Sequence, residues 1–341
     1  MALIAIETSC DETSVAVIRD GLVLAHLVAS QTRIHAEHGG VVPELASREH
    51  LRNFLPMARA ALLQADVKPC QIAAVAATQG PGLPPALMIG FRAAQSVAFA
   101  LNKPFIGIHH HEAHLYSPWI SGQPPRADFA AFEPNVSLIV SGGHTMLVHV
   151  EVEMRHHVLG GTIDDAAGEC FDKVAKMIGL PYPGGPELDK FAEQGNPRAH
   201  EFPRPLIHAA NSDFSFSGLK TSVRYFLRDH PHLLDDRQAL CDLCASVQAA
   251  IVQVLVTKTL RAAERAGVRC VTASGGVTCN SGLRRELAAA CAKQGFTLRL
   301  AEKTFCTDNA AMIGILAERK LKAAPSPTVI DQDIKPNWAL S

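Results

Sequence analysis

The sequence predicts an α/β protein made of two lobes with a cleft between them. Apolar runs of strand length alternate with longer segments of helical periodicity, which is the pattern of a mixed sheet covered by helices. A strand, a polar turn and a returning strand occur twice, near residues 3–18 and 136–150. At 341 residues the chain is long enough for two domains. We interpret the repeat as an internal duplication, and ligands of such sheets bind in the crevice between units.

The composition narrows the possible functions. Hydrophobic residues make up 48% of the chain, and a formal net charge of −1 leaves no global basic excess. Any nucleic-acid contact must therefore be local or shared with partners. Glu7 comes too early for a signal peptide, and no apolar run has membrane-spanning length. We predict a cytoplasmic protein whose nine cysteines are reduced, with Cys241 and Cys244 packed in the core.

The first lobe is expected to span residues 1–125. Predicted strands are 3–6, 15–18, 22–29, 72–77 and 105–108, and predicted helices run from Pro43 to about Leu63 and from the 80–85 loop to about Ala100. The turn between the first two strands is rich in hydroxyl and acidic side chains, including Asp11 and Glu12. Such a polar tip can face a phosphate or a metal ion.

Four histidines lie within residues 109–114, directly after a predicted strand. His110 and His114 are four residues apart, which on a helix puts two imidazoles on one face, about 5–6 Å apart at Cβ. Two metal ligands from one helix have this geometry. In the HExxH proteases the glutamate directly follows the first ligand, whereas Glu112 is two residues after His110. The pair His111 and His114 would restore that order at a shorter spacing, and a merely polar helix end is the remaining interpretation.

The second lobe is expected to span residues 136–307, after a linker or surface loop at 121–135. Its predicted strands are 136–140, 146–150, 270–273 and 297–301, and its predicted helices are 164–178, the segments that open near Pro186 and Lys220, 238–266 and the one after Asn280. Glycine turns at 142–143, 184–185 and 275–276 would let a phosphate approach backbone N–H groups, and the last of these opens a helix, whose N-terminus favours anions.

Asp308 is the candidate for a third metal ligand. It begins or caps a predicted helix to about residue 322 that packs back on the first lobe, ahead of an irregular tail at 323–341 with Pro325, Pro327 and Pro336. Two imidazoles and one carboxylate, with open positions, suit iron(II) or zinc. The alternative is that Asp308 is only an N-cap residue.

Seven motifs together resemble the bacterial tRNA N6-adenosine threonylcarbamoyltransferase family. They are residues 6–13 (IETSCDET), 39–48 (GGVVPELASR), 80–82 (GPG), 110–114 (HHEAH), 140–145 (VSGGHT), 182–186 (YPGGP) and 306–309 (CTDN). The resemblance runs from residue 3 to about residue 320. Two features depart from the family pattern, namely a longer, proline-rich 121–135 connection and the pair Pro84 and Pro85 after the GPG motif.

The resemblance implies a fold, a reaction and a set of partners. The fold is the duplicated one of actin, sugar kinases and heat-shock ATPases. The reaction transfers a threonylcarbamoyl group from threonylcarbamoyl-AMP to N6 of the adenosine 3′ of the anticodon, in tRNAs that read codons beginning with A. The partners are a metal-free paralogue subunit and a small ATPase, with no membrane.

The resemblance also implies site residues. One divalent metal per chain, with Fe(II) favoured and Zn as the alternative, would be held by His110, His114 and Asp308. The adenylate would be contacted by Ile139, Val140, Ser141, Gly142, Gly143, Asp172, Gly185, Asp189 and Asn280. We expect the turn at 141–143 to cradle the phosphate, and Asp11 or Glu12 to accept the proton of the attacking amine.

Three other functions compete with this one. A small-molecule kinase of the same fold would need ATP but has no use for His110 and His114. A metalloprotease is disfavoured by the displaced Glu112 and by the glycine turns. A non-catalytic scaffold paralogue predicts that the metal ligands are lost, and here they are present.

Overall fold

The computed structural model describes residues 2–323 and 330–340. Its internal contacts divide the chain into two compact units, one of Met1–Phe132 with Ala301–Leu340 and the other of Glu133–Leu300. Each unit contains its own sheet. The sequence places the second lobe at residues 136–307, whereas the structure assigns residues 301–307 to the first unit.

The first unit is built on a seven-stranded sheet. Its strands are β1 (Ala2–Glu7), β2 (Glu12–Arg19), β3 (Leu22–Ser30), β4 (Ile72–Gly80), β5 (Phe105–His109), β6 (Ile120–Ser121) and β7 (Arg126–Ala127). They are ordered β5-β4-β1-β2-β3-β7-β6. Because β1, β4 and β5 run parallel, they end with Glu7, Gly80 and His109 at the same edge of the sheet.

The second unit has a five-stranded sheet. Its strands are β8 (Asn135–Val140), β9 (Thr145–Val152), β10 (Arg155–Gly161), β11 (Cys270–Ser274) and β12 (Thr297–Leu300). The order is β10-β9-β8-β11-β12, with β8, β11 and β12 parallel and β8, β9 and β10 antiparallel. The carboxyl ends of β8 and β11 carry the turn at 141–143 and the glycine loop at 275–276.

Helices cover both sheets. They are α1 (Thr32–Ala36), α2 (Pro43–Gln64), α3 (Pro84–Leu101), α4 (His110–His114), α5 (Ala167–Met177), α6 (Gly184–Ala192), α7 (Ser217–Asp229), α8 (Arg237–Ala266), α9 (Ser281–Gln294), α10 (Lys303–Cys306) and α11 (Ala310–Ala323). Pro43 and Pro84 occupy first helical positions, where the missing N–H costs nothing. Left-handed Asn102 and Gly267 end α3 and α8.

The helix α11 completes the core of the first unit. Its Gly314 lies so close to the sheet that an added Cβ would be 2.6 Å from Cγ1 of Ile18. One turn later, the carboxylate of Glu318 accepts hydrogen bonds from the backbone N–H groups of Asp20 at 2.6 Å and Gly21 at 2.7 Å. These contacts seat the helix after Asp308 on the strands β1 and β2.

The helix α8 forms the core of the second unit. Among the residues that the structure describes, it is the one helix long and apolar enough to cross a membrane, but 72% of its apolar window is buried inside the protein. Cys241 and Cys244 lie on it at 1% and 0% exposure, with both thiols free. The helix is therefore apolar because it packs in a core.

Two local predictions of strand and loop need correction. The 121–135 segment is not only a loop, because β6 and β7 form a short hairpin that pairs with β3 through Leu22 and Arg126. The strand β10 was not predicted, since its sequence, RHHVLGG, shows no clear alternation. Backbone pairing with β9 holds it at the edge of the sheet.

Two helices begin later in the chain than the sequence predicts, and side-chain hydrogen bonds to backbone N–H groups mark the change. The carboxylate of Asp164 accepts hydrogen bonds from Ser215 Oγ at 2.6 Å and from the N–H of Phe216 at 2.8 Å, so α5 begins at Ala167 rather than at 164. Asn309, and not Asp308, caps α11, because its Oδ1 accepts the N–H of Met312 at 3.0 Å. Asp308 is thereby left free of that task.

Residues 330–340 form no helix or strand and lie across the edge of the first sheet where β4 ends. The N–H of Lys335 donates to the carbonyl of Gln79 at 2.8 Å, and the N–H of Gly82 donates to the carbonyl of Pro336 at 3.1 Å. Pro325 and Pro327 lie outside the described residues.

Candidate metal centre

The strand β5 delivers the histidines to the edge of the first sheet. Phe105 and Ile108 are fully buried in the strand, and the short helix α4 begins directly after it. Its N-cap residue is His109, whose Nδ1 accepts the N–H of Glu112 at 3.3 Å. The other nitrogen of His109 is 3.2 Å from the carbonyl oxygen of Trp338. The segment 330–340 therefore fixes the residue that starts the helix.

His110, His114 and Asp308 converge as the sequence predicts. The Nε2 atoms of His110 and His114 lie 3.3 Å and 3.2 Å from Oδ1 of Asp308. The two imidazole rings are nearly perpendicular, at 89°, with centroids 4.8 Å apart. One ligand atom from each of the three residues lies within 4.8 Å of the other two. All three residues belong to the first unit.

The Glu7 carboxylate holds the ring of His110 from the other side. Its Oε2 is 3.0 Å from Nδ1 of His110, which leaves Nε2 to face Asp308. Glu7 is fully buried, and it also accepts hydrogen bonds from the hydroxyl of Thr78 and from the N–H of Ser9. A carboxylate behind a histidine fixes its tautomer and raises its basicity as a ligand.

The charges at this centre perturb one another strongly. Burial alone would lower the pKa of His110, but the carboxylates of Asp308 and Glu7 raise it well above its usual value. Burial lowers the pKa of His114 despite its hydrogen bond to Asp308. Burial would raise the pKa of Asp308, yet the two imidazoles hold it well below its usual range. The centre therefore contains an ionised carboxylate against two buried rings.

These residues fit a divalent metal ion. Two imidazoles and one carboxylate are the donor set of mononuclear zinc and iron(II) sites that keep open positions. Nδ1 of His114 is buried and has no hydrogen-bond partner within the described part of the chain, so Nε2 carries the polar interactions of that ring. Glu112 points elsewhere, since its Oε2 pairs with Nζ of Lys320 on α11 at 2.6 Å. The shorter-spaced pair, with His111 as a ligand, is not the one that Asp308 joins.

Asp11 lies on the turn between β1 and β2, and Glu12 is the first residue of β2, beside this centre. His50 of α2 fixes the turn, because its two ring nitrogens are 2.8 Å from Oγ1 of Thr13 and 3.0 Å from the carbonyl oxygen of Cys10. Burial, together with the neighbouring carboxylates of Asp11 and Asp308, raises the pKa of Glu12 well above its usual value. A carboxylate with a raised pKa is a better proton acceptor near neutral pH.

Several predicted adenylate contacts meet at the carboxyl edge of the second sheet. Gly142 and Gly143 are exposed on their turn, whereas Ile139 and Val140 are fully buried in β8. Gly275, with φ of 94°, comes so close that a Cβ would lie 2.3 Å from the carbonyl oxygen of Val140. This edge therefore offers backbone groups rather than the side chains of Ile139 and Val140.

The other predicted contacts are held by hydrogen bonds within the second unit. Asp172 Oδ1 accepts the N–H of Gly185 at 3.0 Å. Both oxygens of Asp189 accept hydrogen bonds from Ser281, and Asn280 caps α9 while its Nδ2 donates to Gln248 at 2.6 Å. A nucleotide could be contacted by their remaining lone pairs, by the second N–H of the Asn280 amide or by the neighbouring backbone.

Sequence reasoning did not find Glu7, Thr78 or the contact between His109 and Trp338. A signal for Glu7 existed. It directly ends a strand whose six residues are all buried, and a buried carboxylate needs partners. The His109–Trp338 contact had no signal, because it joins residues 229 positions apart in the chain.

Comparison with known proteins supports one family. The family model described as tRNA N6-adenosine threonylcarbamoyltransferase matches residues 22–315. Proteins of that name from Paracidovorax citrulli and Chloroherpeton thalassium are 48% and 50% identical to the chain. The alignments cover 99% and 94% of this chain, and 97% and 92% of the two relatives.

Solved structures show the same fold at low identity. HypF in its phosphate- and nucleotide-bound form superposes with a TM-score of 0.62 at 13% identity, over 94% of this chain and 46% of that one. Component A of the (R)-2-hydroxyglutaryl-CoA dehydratase of Acidaminococcus fermentans gives 0.53 at 14% identity over 94% and 99%. The hexokinase of Thermus thermophilus gives 0.51 at 13% over 95% and 100%. The predicted duplicated α/β fold is confirmed.

Proposed function

The chain belongs to the tRNA N6-adenosine threonylcarbamoyltransferase family, and we propose that its activity depends on a divalent metal ion held by His110, His114 and Asp308. As a member of this family it forms N6-threonylcarbamoyladenosine in tRNA. The observation that supports the metal is the approach of one carboxylate oxygen, within 3.3 Å, to Nε2 of both histidines. The donor set favours iron(II), with zinc as the alternative.

The proposed donor is threonylcarbamoyl-AMP, and the proposed acceptor is N6 of the adenosine 3′ of the anticodon in tRNAs reading codons that begin with A. Similarity to the family supports both. We assign the adenylate to the carboxyl edge of the second sheet, where Gly142 and Gly143 present an exposed turn. The residues assigned to the nucleoside are Asp172, Gly185, Asp189 and Asn280.

The proposed reaction requires the protein mainly to position two reactants. An adenine amine is a poor nucleophile, whereas a carbamoyl-phosphate anhydride is already activated, so orientation supplies most of the rate. In the proposed reaction, N6 forms a bond to the carbamoyl carbon, the bond from that carbon to the phosphate oxygen breaks, and AMP leaves. When bound, a divalent ion would stabilise the negative charge that develops on the leaving phosphate.

The proton released by N6 needs an acceptor, and we assign it to Glu12, with Asp11 as the other candidate. The raised pKa of Glu12 supports this choice. Glu7 serves differently, because its carboxylate contacts Nδ1 of His110 and orients that ring. If turnover is unchanged in both Asp11→Ala and Glu12→Gln, the assignment is wrong.

The proposed partners are a metal-free paralogue subunit and a small ATPase, and family membership alone supports them. An enzyme that modifies tRNA needs access to the tRNA pool, so we place the protein in the cytoplasm. Pull-down of both partners with the tagged chain, followed by mass measurement of the complex, tests the assembly.

The decisive experiment reconstitutes the reaction. The chain is incubated with its partner chains, unmodified tRNA, threonine, bicarbonate, ATP and the adenylate-forming enzyme, and the modified nucleoside is measured by mass spectrometry. His110→Ala and Asp308→Asn should lose the iron or zinc ion held at this centre, measured by elemental analysis against wild type, and should also lose product. Unchanged metal content in both variants would contradict the proposed ligands.

Glu112→Gln is the matched control. It lies on the same helix as both histidines but pairs with Lys320, so metal content and product should stay near wild type. The same variant tests the metalloprotease alternative, which needs this glutamate as its base. The similarity to a hexokinase shows a shared fold, and no feature of the described site favours a small-molecule kinase.

A further inference from the structure

A second cluster of metal-binding side chains lies in the second unit. Among residues 2–323 and 330–340, two groups of three place one donor atom per residue within 4.8 Å of the others. One is the centre described above, and the other is His149, Glu151 and His157. These three residues are on β9 and on the edge strand β10, and no predicted role of the protein uses them.

The sheet brings the three side chains to one face. His149 and His157 are directly opposite each other in the antiparallel pairing of β9 and β10. Side chains of such a pair point to the same face, and Glu151, two residues after His149, shares it. The two rings meet edge to face at 82°, with centroids 4.9 Å apart. The strand register therefore sets the spacing of the cluster.

The donor atoms are close to a coordination geometry. Nδ1 of His157 lies 3.6 Å from Oε1 of Glu151. Bond lengths of about 2.0–2.2 Å put two ligands of a tetrahedral zinc about 3.3–3.6 Å apart. Small rotations of these partly exposed side chains would bring the donor atoms to the spacing that a bound ion requires. The side chains of His157 and Glu151 are 52% and 37% exposed, so an ion in solution can reach them.

One neighbouring charge competes for the glutamate. Nε of Arg155 is 2.8 Å from Oε2 of Glu151, while Oε1 faces His157. The side chain of Arg155 is 70% exposed, and exposed ion pairs of this kind are weak.

We propose that His149, Glu151 and His157 form a second metal site, selective for zinc-class divalent ions over magnesium and calcium. Two imidazoles select borderline transition ions, whereas magnesium and calcium prefer all-oxygen sites. A bound ion would tie the edge strand β10 to β9, in a sheet position where β10 has a neighbour on one side only. The site is independent of the proposed reaction, because its residues are separate from those assigned to catalysis.

The test counts zinc bound by the full chain. After equilibrium dialysis against buffered free zinc, we expect two ions per wild-type chain by elemental analysis. Losing a residue that only supports a metal ligand costs about 10- to 100-fold in metal affinity. His149→Ala and His157→Ala each remove a ligand itself, so each should lower the affinity for one of the two zinc ions by at least that factor. His232→Ala is the control, because this histidine is in the same unit with a side chain 91% exposed. Magnesium should not compete.

A measurement on the unaltered chain avoids any dependence on variant folding. Side-chain ¹⁵N resonances of His149 and His157 should shift together as zinc is added up to two equivalents, with His232 unchanged. Shifts at neither histidine, or the same zinc content and affinity in wild type and in both variants, would each overturn the proposal.

Discussion

Oε2 of Glu7 lies 3.0 Å from Nδ1 of His110, while Nε2 of the same ring faces Asp308. The ring is thus held between two carboxylates that come from the start and from the late part of the chain. Asp308 can bind the same metal ion as Nε2 of this ring, whereas Glu7 contacts the other nitrogen and cannot. This division makes Glu7 a positioning residue whose effect on metal binding can be measured apart from its effect on folding.

Replacing Glu7 by Gln should weaken metal binding without removing a ligand. The neutral amide no longer polarises His110, and changes of this kind cost about 10- to 100-fold in metal affinity. Competition with a chromogenic chelator measures the dissociation constant. Ser9→Ala is the graded control, because its hydroxyl makes only a 3.3 Å contact to the same nitrogen. Equal affinity in wild type and Glu7→Gln would show that the carboxylate does not tune the ligand.

Gly90→Ala should destabilise the first unit. An added Cβ would lie 2.2 Å from Oγ1 and 3.1 Å from Cβ of Thr8, which follows Glu7 directly. Overpacking of this kind costs about 1–3 kcal/mol, and the displaced turn should also weaken metal binding. Gly218→Ala in α7 is the matched control, since a Cβ there meets nothing within 4 Å and should cause no overpacking. The free energy of unfolding of both variants is measured in urea. A Gly90→Ala variant as stable as wild type would refute the close packing at this position.

Trp338→Ala should lower stability and loosen the start of α4. The indole lies 4.7 Å from the ring of His109, with Nζ of Lys335 4.4 Å from its centroid. Losing these ring contacts should cost about 1–2 kcal/mol in the free energy of unfolding. Lys335→Gln removes only the cation and should cost about 0.5–1 kcal/mol. Equal stability of wild type and Trp338→Ala in denaturant titrations would mean that residues 330–340 contribute no support.

His26 should make the folded state sensitive to mild acid. Burial lowers its pKa to about 4, and its Nε2 has no partner within the described residues. In the unfolded chain the imidazole binds a proton below about pH 6.5, so stability is full above that pH and is lost as pH falls towards 4. Between pH 7 and pH 5 the loss should reach at most about 2 kcal/mol.

His26→Phe tests this without removing the ring, which packs 5.3 Å from that of Phe305. The variant should lose less stability than wild type between pH 7 and pH 5, as measured by urea unfolding at both values. Other histidines titrate equally in both proteins, so they cancel in the comparison. The same acid sensitivity in the two proteins would exclude His26 as its source.

The sequence predicted most strands and long helices because each repeats its apolar pattern over many residues. It predicted that His110 and His114 share one helix face because helical spacing is a local property. Asp308 lies 194 positions from His114, and its place beside the two histidines rested on the resemblance to the family. It could not predict that Asn309 takes the cap and frees Asp308, since either residue type can cap a helix. It also missed β10 and the position of residues 330–340, because strand pairing and long-range backbone contacts do not appear in the hydrophobic periodicity of the sequence.

The first unit is assembled from two stretches, with Glu133–Leu300 inserted between them. During synthesis His110 and His114 therefore leave the ribosome long before Asp308. The strands β1 and β2 remain uncovered by α11 until that helix has been synthesised. The inserted unit is complete first and can fold by itself in that interval. Loading of the ion is then a late event of biogenesis, and an arrested nascent chain that stops before residue 308 should emerge without it.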